Sequence, residues 1–237
     1  MAKWSWKYHW VNVTLTGTEL AETDSDQQII SHLESEMQGA SMTMNDMLST
    51  AFFGNGTGNS SKDFEGLLNA LDYTNFTTYG GIDRSANTWW NAYNNTTGGA
   101  ITLDMINAAI GQCTFDDKLP DMGITTQTLY DKIWARVQPQ QRFIQGGGKN
   151  SDLFKVGATG IEFNNHFVII VDNHCPAGYF FGLNTDRWKV VINKNKNFQW
   201  TEPKTPVNAD MYVRQLLLGG NFLCIEPRAN FMLTGLT

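Results

Sequence analysis

The chain has 237 residues, 41% of them hydrophobic and 12% aromatic, with 17 Lys and Arg against 23 Asp and Glu for a formal net charge of −6. That apolar content can bury one large core or two small ones and argues against intrinsic disorder, while no stretch approaches the roughly 18 consecutive apolar residues that span a bilayer. Only Lys194 and Lys196 sit close together among polar neighbours, so tight, sequence-specific nucleic-acid binding has little support.

The opening residues Met1-Ala2-Lys3-Trp4-Ser5-Trp6-Lys7 show no apolar h-region and no small-residue cleavage site, so a soluble chain of intracellular origin is expected. The Asn-x-Ser/Thr triplets at Asn12, Asn55, Asn59, Asn75, Asn94 and Asn95 are then read as polar turns. Cys113, Cys175 and Cys224 lie far apart without a Cys-x-x-Cys pair, which fits reduced, mostly buried thiols.

Trp4, Trp6, Tyr8 and Trp10 alternate with smaller or polar residues, and Val11, Val13 and Leu15 continue the pattern shifted by one, as in a strand with a bulge. Such a ladder packs either on its own core or as an arm on a neighbouring subunit. Residues 24–53 follow with the apolar positions Ile30, Leu33, Met37, Ala40, Met44, Met47 and Ala51 in steps of three and four, one narrow stripe along a helix. Ser31, Glu34, Ser35, Gln38, Asn45 and Ser49 take the opposite face. Residues 23–26 supply N-cap candidates and acidic first-turn residues. A helix of about 28 residues is about 42 Å long, against a radius of gyration of about 18 Å for a compact chain of this length. This suggests an elongated protein that leans on copies of itself. The helix is also acidic: between Tyr8 and Ser61 there are seven Asp and Glu and no Lys or Arg. Gly39 in its middle costs about 1 kcal/mol of helix propensity, which either a close backbone approach or core packing would offset.

Phe53-Gly54-Asn55-Gly56 ends the helix. A glycine-rich stretch with Tyr79-Gly80-Gly81-Ile82-Asp83-Arg84-Ser85 comes next, in which Asp83 and Arg84 are expected to form an ion pair or cap that fixes a turn. A polar turn spans 94–99. Thr102 is placed to cap a helix carrying Leu103, Ile106, Ala109 and Ile110, and Thr126 a second carrying Leu129, Tyr130, Ile133, Trp134 and Val137, stopped by Pro139. Residues 145–150 read as a mobile loop. Strands are expected at 153–157, 167–171, 179–183 and 188–192, and a hairpin of 211–218 with 221–225 about Gly219-Gly220. The class is α+β, with no internal repeat.

Chemical motifs are lacking. Gly148-Lys149 is followed by Asn150, which spoils a phosphate loop, and neither Gly-x-Ser-x-Gly nor His-Glu-x-x-His occurs. Asp172-x-His174-Cys175 offers metal-ligand or Cys/His types but has no second cluster, and reads as a strand-end turn. Asp116-Asp117, beside Lys118 and Pro120, reads as a solvated loop. No catalytic residue, cofactor or metal is assigned, and no enzyme is expected.

Gly66-Leu67 with Gly80-Gly81-Ile82-Asp83-Arg84-Ser85-x-Asn87-x-Trp89-Trp90-Asn91 resembles a pattern in the major capsid proteins of tailed bacteriophages. Leu129-Tyr130-Asp131 through Gln138-Pro139-Gln140-Gln141-Arg142-Phe143 is similar to that family's second A-domain helix and its exit, and Val171-Asp172-Asn173-His174-Cys175-Pro176-Ala177-Gly178 with Phe181-x-Leu183-Asn184-Thr185 to the following strand and turn. The matches keep the family's order over nearly the whole chain. The resemblance implies the Hong Kong-type phage capsid fold, shared with encapsulins: residues 1–22 as the returning strand of a truncated E-loop, 23–65 and 190–237 as a P-domain with its spine helix, and 66–189 as an A-domain. It implies a shell protein assembling into hexamers and pentamers of an icosahedral head in the host cytoplasm. Its partners would be copies of itself, double-stranded DNA held non-specifically, and portal, scaffold or decoration proteins, with no membrane. The spine stripe of Ile30, Leu33, Met37, Ala40, Met44 and Met47, the candidate intersubunit contacts Trp4, Trp6 and Trp10, and the structural turn of Gly80, Gly81, Asp83 and Arg84 are the residues expected to matter. An encapsulin-like compartment shell is the nearest alternative, and eight Trp among many Asn and Thr leave a monomeric carbohydrate-binding module as another.

Overall fold

The computed structural model describes residues 1–22, 26–115, 118–138, 161–163 and 166–237. The helix-start candidates at 23–25, Asp116-Asp117, Pro139, the 145–150 loop and the 153–157 strand lie outside the described residues. In chain order the elements begin with β1 (Lys7–Thr16), α1 (Gly17–Glu22), α2 (Asp26–Phe53), α3 (Gly58–Ser61, a single turn with left-handed backbone at Asn59, Ser60 and Ser61) and α4 (Leu67–Leu71). Next come β2 (Thr78–Tyr79), β3 (Ile82–Asp83), β4 (Tyr93–Asn95), α5 (Leu103–Cys113), β5 (Met122–Thr125) and α6 (Gln127–Val137). The chain closes with β6 (Ile161–Phe163), β7 (Phe167–Val171), β8 (Phe180–Leu183), β9 (Trp188–Ile192), β10 (Gln199–Trp200), β11 (Met211–Cys224) and β12 (Phe231–Leu233).

Two compact units form, one from Lys3–Leu67 and Val190–Leu223, the other from Met1–Ala2, Leu68–Lys189 and Cys224–Thr237. Residues Cys224–Thr237 thus group with the middle of the chain, where the sequence had suggested 190–237 as one block. The cause is β12, which pairs in parallel with β4 and antiparallel with β8.

In the first unit, α2 lies against β1, at the edge of a sheet ordered β1-β11-β10 with β9 also on β11. Its core gathers Met44, Phe64, Leu216 and Leu218, with Val11, Leu48, Ala51, Trp200 and Phe222 packed on them. The expected bulge in β1 is absent: the register runs unbroken from Lys7 opposite Gly220 to Thr16 opposite Met211. The shift in apolar phase arises because the two faces of one regular strand carry different residues. Lys7, His9 and Val13 are buried, while Trp6, Tyr8 and Trp10 are exposed. The expected hairpin at Gly219-Gly220 is also absent, since β11 is one strand of 14 residues. These glycines serve close approach: a Cβ on Gly219 would stand 2.6 Å from the Tyr8 ring, and one on Gly220 2.6 Å from the Val191 carbonyl oxygen.

In the second unit a mixed six-stranded sheet, ordered β4-β12-β8-β5-β7-β6, carries α5 and α6. Thr102 caps α5 as expected, its Oγ1 accepting from the Met105 N–H at 3.2 Å. Thr126 is the N-cap of α6 without a side-chain hydrogen bond. Ile106, Ala109, Ile110 and Cys113 of α5 and Leu129 and Ile133 of α6 cover Phe167, Ile169, Phe180, Phe231 and Leu233. Phe231 stacks on Phe167 and Phe180 with centroids 6.0 Å away in each case. Of the Asn triplets, Asn55, Asn59 and Asn75 lie outside the strands, but Asn12 lies in β1 and Asn94 and Asn95 in β4, so for these three the turn reading fails. Asn12 instead bonds across to its register partner, accepting from Gln215 Nε2 at 2.9 Å.

Candidate functional site

The surfaces singled out by the sequence fall in three places. Along β1, successive side chains alternate between faces, and the packing of the odd-numbered residues leaves Tyr8 and Trp10 outward at 43% and 50% exposure, with Trp6 just before the strand at 49%. Leu217 stands opposite Trp10, and Gly219 opposite Tyr8, whose ring overlies it. Trp4 precedes the strand and is half-buried. Three large, half-exposed aromatic rings in a row, two of them on the strand, form an amphipathic surface of the kind that anchors protein contacts.

On α2 the apolar stripe grades from solvent to core. Ile30 is 56% exposed, Leu33, Met37 and Met47 are half-buried, and Ala40 and Met44 are buried. Ile30 is therefore apolar without being core, while its neighbour Ile29 is half-buried. The outer face holds Glu34, Glu36 and Asp46 and the exposed Met42, with no Lys or Arg on the helix. Its hydroxyls fold back on the helix itself: Ser41 donates to the Met37 carbonyl at 3.0 Å, Thr43 to Gly39 at 2.9 Å and Ser49 to Asn45 at 3.0 Å. A Cβ on Gly39 would meet nothing within 4 Å, so neither core packing nor a backbone of this unit accounts for that glycine.

At Gly80 and Gly81, φ values of 59° and 73° make the two-residue turn between β2 and β3, which other residues enter only with strain. Asp83 Oδ1 accepts from the Ser85 N–H at 2.9 Å and hydroxyl at 2.7 Å, so it caps the turn as expected. Of the two alternatives, cap or ion pair, it is the cap that forms. Arg84 is buried and donates to main-chain carbonyls instead: Nη1 to Phe76 at 3.2 Å, and Nη2 to Asn69 at 3.0 Å and Ala70 at 2.6 Å. Its guanidinium lies 5.0 Å from the Tyr79 ring centroid. Burial pulls its pKa down to about 10, against the favourable charges of Tyr79, Cys224 and Asp72. Tyr79 Oη accepts from the Cys224 N–H at 2.8 Å, and its carbonyl accepts from Trp90 Nε1 at 3.1 Å.

Sequence reasoning missed Asn230, which is wholly buried. Its Oδ1 accepts from the Asn184 N–H at 2.8 Å and Trp188 Nε1 at 2.9 Å, and its Nδ2 donates to the Glu226 carbonyl at 3.0 Å. A lone Asn before a short strand gives no periodic signal of such a role.

Reactive chemistry finds little footing among the described residues. No group of three or more His, Cys, Asp and Glu is placed to hold a metal ion. The three thiols are buried, and burial pushes each pKa up to about 12, far from the thiolate that nucleophilic work needs. Asp172 Oδ1 accepts from the His174 N–H at 2.8 Å and holds the turn after β7. No described helix is long and apolar enough to cross a membrane.

A family model described as "SU10 major capsid protein" matches residues 9–237. No curated protein matches. Solved structures share the fold at low identity. The cyanophage A-1(L) capsid asymmetric unit aligns with TM-score 0.70 at 12% identity, over 98% of this chain and 77% of that one. The holo-SrpI encapsulin complex of Synechococcus elongatus gives 0.64 at 11%, over 98% and 74%. The satellite phage P4 procapsid that includes the size-determination protein gives 0.53 at 12%, over 98% and 71%. The likeness to these structures is one of fold alone.

Proposed function

The chain belongs to the SU10 major capsid protein family, and from that premise we propose that it works through its interfaces, as the repeated subunit of hexamers and pentamers that close an icosahedral head. It is a major capsid protein of tailed bacteriophages, a component of the virion shell, and its family and fold are structural. In this reading α2 is the spine of a P-domain drawn from residues 23–65 and 190–223, residues 66–189 together with 224–237 form the A-domain, and β1 is the E-loop's returning strand. The A-domain carries the Gly80-Gly81-Asp83-Arg84 turn. Assembly takes place in the host cytoplasm, and portal, scaffold or decoration proteins complete the particle.

The observation that carries the interface reading is the row of Trp6, Tyr8 and Trp10, about half exposed, two of them on a regular strand and Trp6 just before it. Trp4, Trp6 and Trp10 are the proposed anchors on a neighbouring copy. The acidic outer face of α2 fits a wall facing packaged DNA, because like charge keeps the polymer from adhering. An encapsulin-like compartment would use the same fold, but the family match favours a virus shell, and a monomeric carbohydrate-binding module has neither match behind it. Sedimentation velocity and negative-stain microscopy of the purified chain test the proposal. Concentration-dependent capsomers or shells are expected, with assembly reduced at least tenfold when Trp4, Trp6 and Trp10 are all changed to Ala, since each anchor contributes ~1–2 kcal/mol or more. Unchanged assembly of the triple variant would refute the role of the Trp row, and a monodisperse monomer at all concentrations would refute self-association.

A further inference from the structure

The start of β1 is held by a segment in a costly conformation. Asn59, Ser60 and Ser61 take φ of 51°, 58° and 63° in succession, a left-handed region that costs an L side chain about 1–2 kcal/mol per residue. Three such residues in a row persist only where neighbours hold them. Lys7 Nζ donates to the Ser61 carbonyl, and the N–H groups of Ser61 and Lys62 donate to the carbonyls of Thr57 and Gly58, each at 3.2 Å. Phe64 meets the His9 ring edge-on, with centroids 4.5 Å apart. Asn221 of β11 ties the two sides together, accepting from the Glu65 N–H at 3.0 Å and donating to the Ser5 carbonyl at 3.2 Å. Gly66 pins the exit, because a Cβ there would stand 2.4 Å from the carbonyl oxygens of Ala51 and Phe52.

His9 is the member of this set that can change state. It is 8% exposed, and its Nε2 is enclosed without a hydrogen-bond partner. Leu218 lies opposite it on β11, and the adjoining core residues Met44 of α2 and Leu216 and Leu218 of β11 carry no charge. A neutral imidazole tolerates such a place, whereas an imidazolium needs an acceptor at both nitrogens. Of the charged groups on the two packed segments, Asp63 acts on His9, and Lys7 of β1 acts on Glu65 of the clasping segment. Burial holds His9 below the ordinary 6.5, with Asp63 pulling the other way. Burial raises the Glu65 carboxyl, with Lys7 opposing.

We infer that residues 57–66 form an acid-opened latch on β1: protonation of His9 breaks its contact with Phe64, the left-handed turn relaxes, and the first half of β1 is released with Trp6 and Trp10. The direction follows from proton counting. A group whose pKa is lowered in the closed form binds more protons in the open form, so closure weakens as pH falls through 6.5. If His9 stays neutral when closed, that one group shifts the closing equilibrium by about tenfold at pH 5.5. Glu65 acts oppositely, since its raised pKa favours closure as the pH falls further through its own titration.

Hydrogen exchange of the full chain, read by mass spectrometry between pH 7.5 and 5.5 and corrected for intrinsic rates, tests the latch. Peptides covering 3–12 and 57–66 should lose protection by about five- to tenfold, while peptides over β5 and β8 keep theirs. His9→Phe keeps a ring against Phe64 but cannot take a proton, and should hold protection across the range. Equal loss in the variant and the natural chain, or no loss in the natural chain, overturns the inference. If His9→Phe does not fold, an NMR titration of the His9 ring in the natural chain decides: a midpoint below 6.5 supports the latch, and one at or above it overturns it.

Discussion

Replacing Arg84 by Met separates the two roles that the Asp83-Arg84 pair invites. Arg84 is 1% exposed and supplies three hydrogen bonds to main-chain carbonyls. Two of these, Asn69 and Ala70, belong to the end of α4, where a helix leaves its last carbonyls without partners. Met fills much of the volume but donates nothing. Each orphaned buried acceptor costs about 1–3 kcal/mol, and the cation–π contact with Tyr79 adds about 1 kcal/mol. Against this, the variant no longer has to desolvate a guanidinium, the burden that lowers the Arg84 pKa to about 10. The balance is a loss of about 3 kcal/mol, which lowers Tm by roughly 6–12 °C in a chain of this size. Arg84→Lys should recover only part, because an ammonium is a compact point charge without the guanidinium's fork. Asp83→Asn is the control: it keeps an oxygen for Ser85 and should leave the unfolding midpoint close to that of the natural chain. Urea unfolding followed by tryptophan fluorescence measures all three. A loss below ~1 kcal/mol for Arg84→Met, or equal losses for Arg84→Met and Asp83→Asn, would refute the carbonyl clamp and restore the ion pair as the reason for this sequence.

Two further outcomes follow from packing. A Cβ on Gly182 would stand 2.0 Å from Cε1 and 2.1 Å from Cζ of Phe231, a ring wedged against Phe167 and Phe180 with nowhere to swing, so Gly182→Ala should cost about 2–3 kcal/mol. A thermal melt within ~2 °C of the natural chain would show that the aromatic stack is looser than its geometry implies. Cys113, Cys175 and Cys224, with pKa values pushed up to about 12 by burial, should resist a thiol-specific reagent at pH 8 in the native chain and react promptly in denaturant. Fast native labelling of any of the three would contradict their burial.

Much of this architecture is legible in the amino-acid sequence because it rests on local periodicity and local chemistry. Steps of three and four from Ile30 to Ala51 specify α2, observed over Asp26–Phe53. The apolar runs at 167–171 and 188–192 recur as β7 and β9 with those bounds. The Thr102 cap and the Gly80-Gly81 turn follow from side-chain reach and from the backbone freedom of glycine. These features need only neighbours a few residues away.

What tertiary structure alone decided are the contacts between residues distant in sequence. Gly219-Gly220 looks like a turn, yet the pair runs straight through β11, because Tyr8 and the Val191 carbonyl, far away in the chain, occupy the space their side chains would fill. The phase shift in β1 looks like a bulge until α2 and β11 show which face is inside. Arg84 looks like a partner for its neighbour Asp83 but reaches back to Asn69, Ala70 and Phe76, and Asn230 draws Asn184 and Trp188 to one buried amide. Local sequence sets the propensity of a segment, but which face is buried and which polar group finds which partner depends on the chain that packs against it.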